Sequence, residues 1–326
     1  MRRREFVTLL GGAAVSCPFA AHAQQPANIA RIGFLGPASA SSWSDRLAAF
    51  RVSLRDQGYV EGQNIVIESR WADEKYNRLP ELAAELVDRK VDVIVTYGTP
   101  GTLAAMRATK AIPIVMAYSG DALSAGLVTN LARPSGNVTG STYFLSELMA
   151  KRLELLQAAM PQITKAAVLV NPSNPLFDTT LKALETAAKS LNVELQQFKV
   201  GGPTEFEAAF LAMARERVDA LVIQEDAVFV SNTKAIVDLS SMQRLPLAGN
   251  EELAEAGGLI GYGADFLAMC RRAAVFVSTI LKGGKPASIP VEQATKFALV
   301  INLKTAKTLG LTMPLGLLNA ADKVIE

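Results

Sequence analysis

Histidine is almost absent from this chain of 326 residues: His22 is the only one, and Cys17 and Cys270 are the only cysteines. Aromatic residues are few, at 6%, and charge nearly cancels, with 33 Lys and Arg against 31 Asp and Glu. A formal charge of +2 leaves no basic excess with which to hold a nucleic-acid backbone. Beyond residue 23 no uncharged apolar run reaches the length of about 18 residues that marks a membrane-spanning helix. What is present, 50% apolar and 20% charged residues, is the composition of a globular chain.

The scarce residues concentrate at the N-terminus. Residues 1–23 have a basic start (Arg2, Arg3, Arg4), a moderately apolar stretch and a small-x-small ending, Ala21-His22-Ala23. That pattern is a secretory signal, with cleavage expected after Ala23 and the mature chain delivered to the periplasm. Arg3-Arg4-Glu5-Phe6 followed by a weakly apolar stretch resembles a twin-arginine export signal. Two other readings stay open: an uncleaved anchor, though Gly11, Gly12 and Pro18 interrupt the run, and a lipidated Cys17, though Ala14-Val15-Ser16 is a poor lipobox.

Cleavage removes three Arg and one Glu, so the mature chain carries thirty basic and thirty acidic residues. It also removes His22 and Cys17. A Ser-His-Asp or Cys-His mechanism, a zinc site built on His and an intramolecular disulfide are then all excluded. Cys270 lies in a helical run and reads as a buried, inert thiol. Ser231 and Lys234 have a Ser-x-x-Lys spacing without the companion motifs of penicillin-recognising enzymes. Gly261-Tyr262-Gly263 lacks the third glycine of a dinucleotide loop. No catalytic residue, metal or cofactor is expected, and the chain is read as not an enzyme.

Nearly continuous apolar runs alternate with helical periodicity. Strands are expected at 29–36, 64–71, 91–97 and 112–118, with helices at 45–57, 79–89 and about 100–108. The cadence repeats with strands at 165–171, 193–200, 220–224, 245–248 and 259–262, and helices at 177–190, 205–215 and 233–242. A long helix at 264–281 and a last strand at 296–302 follow. Buried strands separated by helices make parallel sheets covered on both faces. The fold class is therefore α/β, two doubly wound parallel-sheet lobes joined through 130–144.

Ligands of such sheets sit beyond the carboxyl ends of the strands. The candidate binding residues are the polar and aromatic ones at those exits. Ser41 and Trp43 follow the first strand, where small residues let backbone approach a ligand and Trp43 could stack on one or staple the next helix. Tyr97, Gly98 and Thr99 open a helix N-terminus suited to a carboxylate, with Thr99 alternatively a simple cap. Tyr118 and Ser119 leave another strand, and Asn171 and Ser173 open the second lobe as caps or contacts. Glu225-Asp226 puts two adjacent carboxylates at one exit, and Asp226 is chosen to meet a ligand ammonium or hydroxyl rather than only cap a helix. Glu251 and Tyr262 complete the set, with Asp265 read as a cap of the long helix.

Several stretches carry a family resemblance. They are Gly58-Tyr59-Val60-Glu61-Gly62-Gln63-Asn64, Ile112-Pro113-Ile114-Val115 and Gly126-Leu127-Val128 with Leu131-Ala132-Arg133-Pro134-Ser135-Gly136-Asn137-Val138-Thr139-Gly140. Leu281-Lys282-Gly283, Ile289-Pro290-Val291-Glu292 and Asn302-Leu303-Lys304-Thr305-Ala306 follow. The chain resembles the substrate-binding proteins of ABC transporters, in the family whose better-known members serve tryptophan and tyrosine uptake. The resemblance implies a periplasmic-binding-protein fold of type I with a three-crossover hinge. Lobe 1 would hold 28–141 and 265–290, and lobe 2 would hold 142–264 and 291–326.

The function this implies is a periplasmic receptor for a small-molecule solute: an amino acid, or an aromatic or carboxylate-bearing molecule. Lobe closure would present the solute to an ABC permease in the inner membrane, driven by a separate ATPase. A monomer is expected, with no nucleic-acid partner. The alternatives are the ligand-binding component of a chemoreceptor or sensor-kinase pathway, and a secreted hydrolase or lyase working through carboxylates alone.

Overall fold

The structure is a computed structural model and describes residues 29–326. The export segment, with Arg3, Arg4 and Cys17, lies outside the described residues.

The first sheet contains β1 (Ala30–Gly36), β2 (Ile65–Trp71), β3 (Val93–Thr96), β4 (Ile114–Ser119) and β5 (Val138–Thr142). The second contains β6 (Lys165–Val170), β7 (Glu194–Lys199), β8 (Ala220–Ile223), β9 (Leu247–Gly249) and β10 (Ile260–Ala264). The chain then returns through β11 (Glu292–Gln293), β12 (Phe297–Asn302) and β13 (Lys323–Ile325). Strand order is β11-β5-β4-β3-β1-β2 in the first sheet and β13-β12-β10-β9-β8-β6-β7 in the second. All pairings are parallel except β10 with β12. Central strands such as β3, β4 and β8 are buried along their whole length, as a sheet with helices on both faces requires.

Three connections join the lobes. After β5 the helix Leu145–Ala159 packs on the second sheet, its Leu148, Met149, Leu153 and Leu156 sharing a core with Val168 and Val222. After β10 the helix Phe266–Leu281 returns to the first lobe, beside helix Ser44–Asp56 and over β4. The third connection runs from β11 to β12.

Two boundaries differ from the sequence reading. The joining segment 130–144 contains β5, whose residues Val-Thr-Gly-Ser-Thr are too small and polar to read as a buried strand. Gly140 is needed there: it has φ +130, and a Cβ would lie 2.1 Å from the Met116 carbonyl oxygen, where the β4–β5 register shifts. The second lobe was expected to resume at residue 291. Glu292 and Gln293 instead pair with Ser141 and Thr142 in the first sheet, fastened by Val291 N–H to Leu131 O and Ala294 N–H to Thr142 O.

The lobes also touch across the cleft. Ser231 Oγ donates to Ser42 Oγ at 3.0 Å, Arg46 Nη2 to Glu252 Oε1 at 2.5 Å, and Tyr76 Oη to Asp226 Oδ1 at 2.9 Å.

Candidate functional site

A cavity lies between the lobes, lined from both sides by strand exits and crossovers. The cavity is narrow and partly open to solvent. Among the described residues no Lys, Arg or His lines it.

The first lobe supplies an aromatic wall. Phe34 is buried in β1, and Trp43, at the N-terminus of helix Ser44–Asp56, sits against it with ring centroids 4.9 Å apart. Trp43 stacks on Tyr97 at 4.5 Å and 13°, and donates its indole N–H to Tyr118 Oη at 3.0 Å. Tyr97 Oη accepts the Ala38 N–H at 3.0 Å. Tyr118 is followed around the wall by Tyr143, at 6.5 Å between centroids, and both rings meet Phe266. Burial pushes the phenols of Tyr97, Tyr118 and Tyr143 above their ordinary range, so they remain neutral donors.

The helix Gly98–Ala108 begins at this wall. Gly98 has φ +68, a turn that an L side chain would strain, and no side chain caps the helix. Thr99 instead bonds Ser119 Oγ at 3.0 Å. Gly98 and Thr99 thus present an uncapped helix N-terminus to the cavity.

The second lobe supplies two carboxylates in different states. Glu225 is paired: Arg152 Nη2 donates to Oε2 at 2.8 Å and Asn250 Nδ2 to Oε1 at 3.0 Å. Arg152 is itself held by the carbonyls of Tyr262 and Ile223. Asp226 has neutral partners only. Its Oδ1 accepts from Tyr76 Oη, Asn171 Nδ2 and Val228 N–H, and its Oδ2 from Asn174 Nδ2 at 2.8 Å. Burial raises the Asp226 carboxyl pKa despite these hydrogen bonds, which pull it down. Asp226 is therefore a buried carboxylate without a cation, and Oδ2 keeps acceptor capacity.

Six of the residues singled out from sequence line the cavity: Trp43, Tyr97, Gly98, Thr99, Tyr118 and Asp226. Six do not, each for a local reason. Ser41 is exposed and bonds Ser39 within its own loop. Ser119 is fully buried behind Thr99, and Asn171 stands behind Asp226 as its donor. Ser173 is exposed, its backbone N–H capped by Asn171 Oδ1. Glu251 lies in the first turn of helix Glu251–Glu255 and points to Lys323 at 3.5 Å. Tyr262 stacks on Phe297 of the antiparallel neighbour, with centroids 6.0 Å apart, and gives only its carbonyl to Arg152.

The sequence reading missed Tyr76, Tyr143 and the pairing of Glu225; Asn174, in the strand exit read as caps or contacts, lines the cavity and donates to Asp226. Tyr76 comes from a loop in which Asp73 and Glu74 both have positive φ, and Tyr143 from a crossover. Neither stands directly after a recognised strand. Cys270 is buried, its thiol pushed up to about 12 by burial, and takes no part in the cavity. Asp265 caps the helix Phe266–Leu281 through the Ala268 N–H at 2.7 Å. Among the described residues there is no cluster of metal-binding side chains, and no helix is long and apolar enough to cross a membrane.

This arrangement has relatives. Residues 32–325 match the sequence model of the family described as ABC transporter substrate binding protein. A tyrosine-binding protein of Clostridioides difficile (strain R20291) is 30% identical over 261 residues, covering 80% of this chain and 75% of the relative. Among solved structures, a conserved domain protein from Vibrio cholerae superposes with a TM-score of 0.85 at 25% identity. An ABC domain in complex with L-Trp from Streptococcus pneumonia does so with 0.83 at 26%. Each covers 91% of this chain and 99% of the other.

Proposed function

The chain belongs to the family of ABC transporter substrate binding proteins, and from that premise we propose that it is a periplasmic receptor for an aromatic amino acid. The observation that carries the reading is Asp226, a buried carboxylate with no cationic partner among the described residues, facing an aromatic wall across the cleft. An ammonium group placed at Oδ2 supplies the missing charge. The uncapped N-terminus at Gly98–Thr99 favours a carboxylate, and the aromatic wall beside it suits a planar solute. The nature of the relatives, one a tyrosine-binding protein and one solved with L-Trp, supports the same class.

The protein acts in this reading without chemistry, as a monomer. Solute binding favours the closed state, and the closed form is what an inner-membrane permease with its ATPase receives. The segment 1–23 directs the chain to the periplasm and is removed near Ala23.

Mass spectrometry of solute released from purified protein, followed by calorimetry with L-tyrosine and L-tryptophan, tests the reading. An aromatic amino acid should be recovered and should bind. Truncating one member of a buried charge pair costs about 2–5 kcal/mol, so Asp226→Asn should weaken binding at least ~10-fold. Recovery of a solute without an amine, or an unchanged affinity in Asp226→Asn, would overturn it.

A further inference from the structure

Three of the four tyrosines at the cavity carry a hydroxyl proton with no acceptor among the described residues. Tyr76 donates its proton to Asp226. The other three differ. Tyr97 Oη accepts from Ala38 N–H and Tyr118 Oη accepts from the Trp43 indole, so each oxygen is engaged only as an acceptor. Tyr143 Oη makes no hydrogen bond to any described residue, although the side chain is only 4% exposed and lines the cavity. The Tyr143 hydroxyl therefore opens on the cavity as a free donor, available to whatever the cavity holds.

The three rings share one wall: centroids are 5.5 Å apart for Tyr97 and Tyr118 and 6.5 Å for Tyr118 and Tyr143. Among the described residues no guanidinium or ammonium lines the cavity to take an anion. We propose that Tyr143, with Tyr118 and Tyr97, receives the solute's carboxylate through neutral phenol donors, and that Tyr143 is a specificity-determining residue for zwitterionic over non-zwitterionic aromatic solutes. The inference rests on the amino-acid reading and deepens it. A bare aromatic carboxylate meets the donors but also the uncompensated charge of Asp226. A bare aromatic amine satisfies Asp226 and leaves the phenol protons unmatched. Only a molecule bearing both groups satisfies both walls.

The position of Tyr143 adds a mechanical role. It lies on the crossover between β5 and helix Leu145–Ala159, and its own backbone N–H is bonded to Ser119 O at 3.0 Å. The carboxylate is thereby held by the hinge as well as by the lobes.

Calorimetry on the mature chain with four probes tests this: L-tyrosine, L-tryptophan, tyramine, which lacks the carboxylate, and 3-(4-hydroxyphenyl)propionate, which lacks the amine. Wild type should bind an amino acid more tightly than either truncated analogue. A hydrogen bond to a charged acceptor is worth roughly 10- to 100-fold in affinity, so Tyr143→Phe should weaken the amino acid by about that factor and leave tyramine unchanged. Since the Tyr143 hydroxyl bonds no described protein group, the thermal midpoint of the ligand-free variant should hold. Equal losses for amino acid and tyramine, or no loss in Tyr143→Phe, would overturn the carboxylate assignment while the amino-acid reading stands. Failure of wild type to bind either amino acid would overturn both.

Discussion

At the scale of single residues, two neighbouring carboxylates have been given opposite tasks. Glu225 is neutralised by Arg152, and the side chains are 7% and 1% exposed, so neither charge can turn to water if the other is lost. Arg152→Met should therefore cost about 3–5 kcal/mol in urea unfolding, whereas Arg152→Met with Glu225→Gln should recover most of it. A double variant no more stable than the single one would show that Arg152 matters through its carbonyl contacts instead. Asp226 behaves differently with pH. Its carboxyl pKa is raised in the fold, so its contribution to stability is greatest below the ordinary carboxylate range and is lost as pH rises through the raised value. An ammonium ligand favours the charged form, and affinity should fall as the pH drops through the same value. Asp226 was legible because it follows a run of buried apolar residues, where a carboxylate needs a reason. The engagement of Glu225 was not, because Arg152 is 73 residues away and sits in helix Leu145–Ala159, which the sequence reading did not include.

At the scale of elements, the long apolar strands announced themselves, and helices such as Phe177–Ser190 and Thr233–Met242 fall where periodicity places them. The element that shapes the site most closely did not. β5 is short and rich in Thr, Ser and Gly because its backbone must approach β4 closely and then release Tyr143 into the crossover. Gly140→Ala adds a methyl against the Met116 carbonyl and should destabilise by about 2–4 kcal/mol in chemical denaturation. Gly126→Ala makes a control: Gly126 has φ +66 with nothing within 4 Å of a Cβ, so about 1–2 kcal/mol of backbone strain is the whole cost. Equal losses at the two positions would mean that the close approach is unimportant. Tyr76 escaped notice for a related reason. It is carried by two successive positive-φ residues, Asp73 and Glu74, and neither is a glycine that would mark the turn.

At the scale of the whole molecule, the lobes touch each other directly across the cleft. Arg46 and Glu252, Ser42 and Ser231, and Tyr76 and Asp226 bridge the cleft at separate points. Such contacts set how much of the empty protein is closed, and apparent affinity scales with that fraction. Glu252→Gln leaves the cavity wall untouched and should weaken solute binding several-fold, with a larger radius of gyration in small-angle scattering that solute restores. An unchanged radius would mean that this contact does not govern closure. The aromatic wall has one more consequence. The chain has two tryptophans, Trp43 and Trp71, with centroids 6.4 Å apart, and both belong to the first lobe beside the cleft. Four of its six tyrosines line the same cavity. Every indole chromophore is thus gathered where the solute arrives, and the second lobe is optically silent in that band. Indole emission from the unlabelled protein therefore reports on the first lobe beside the cleft.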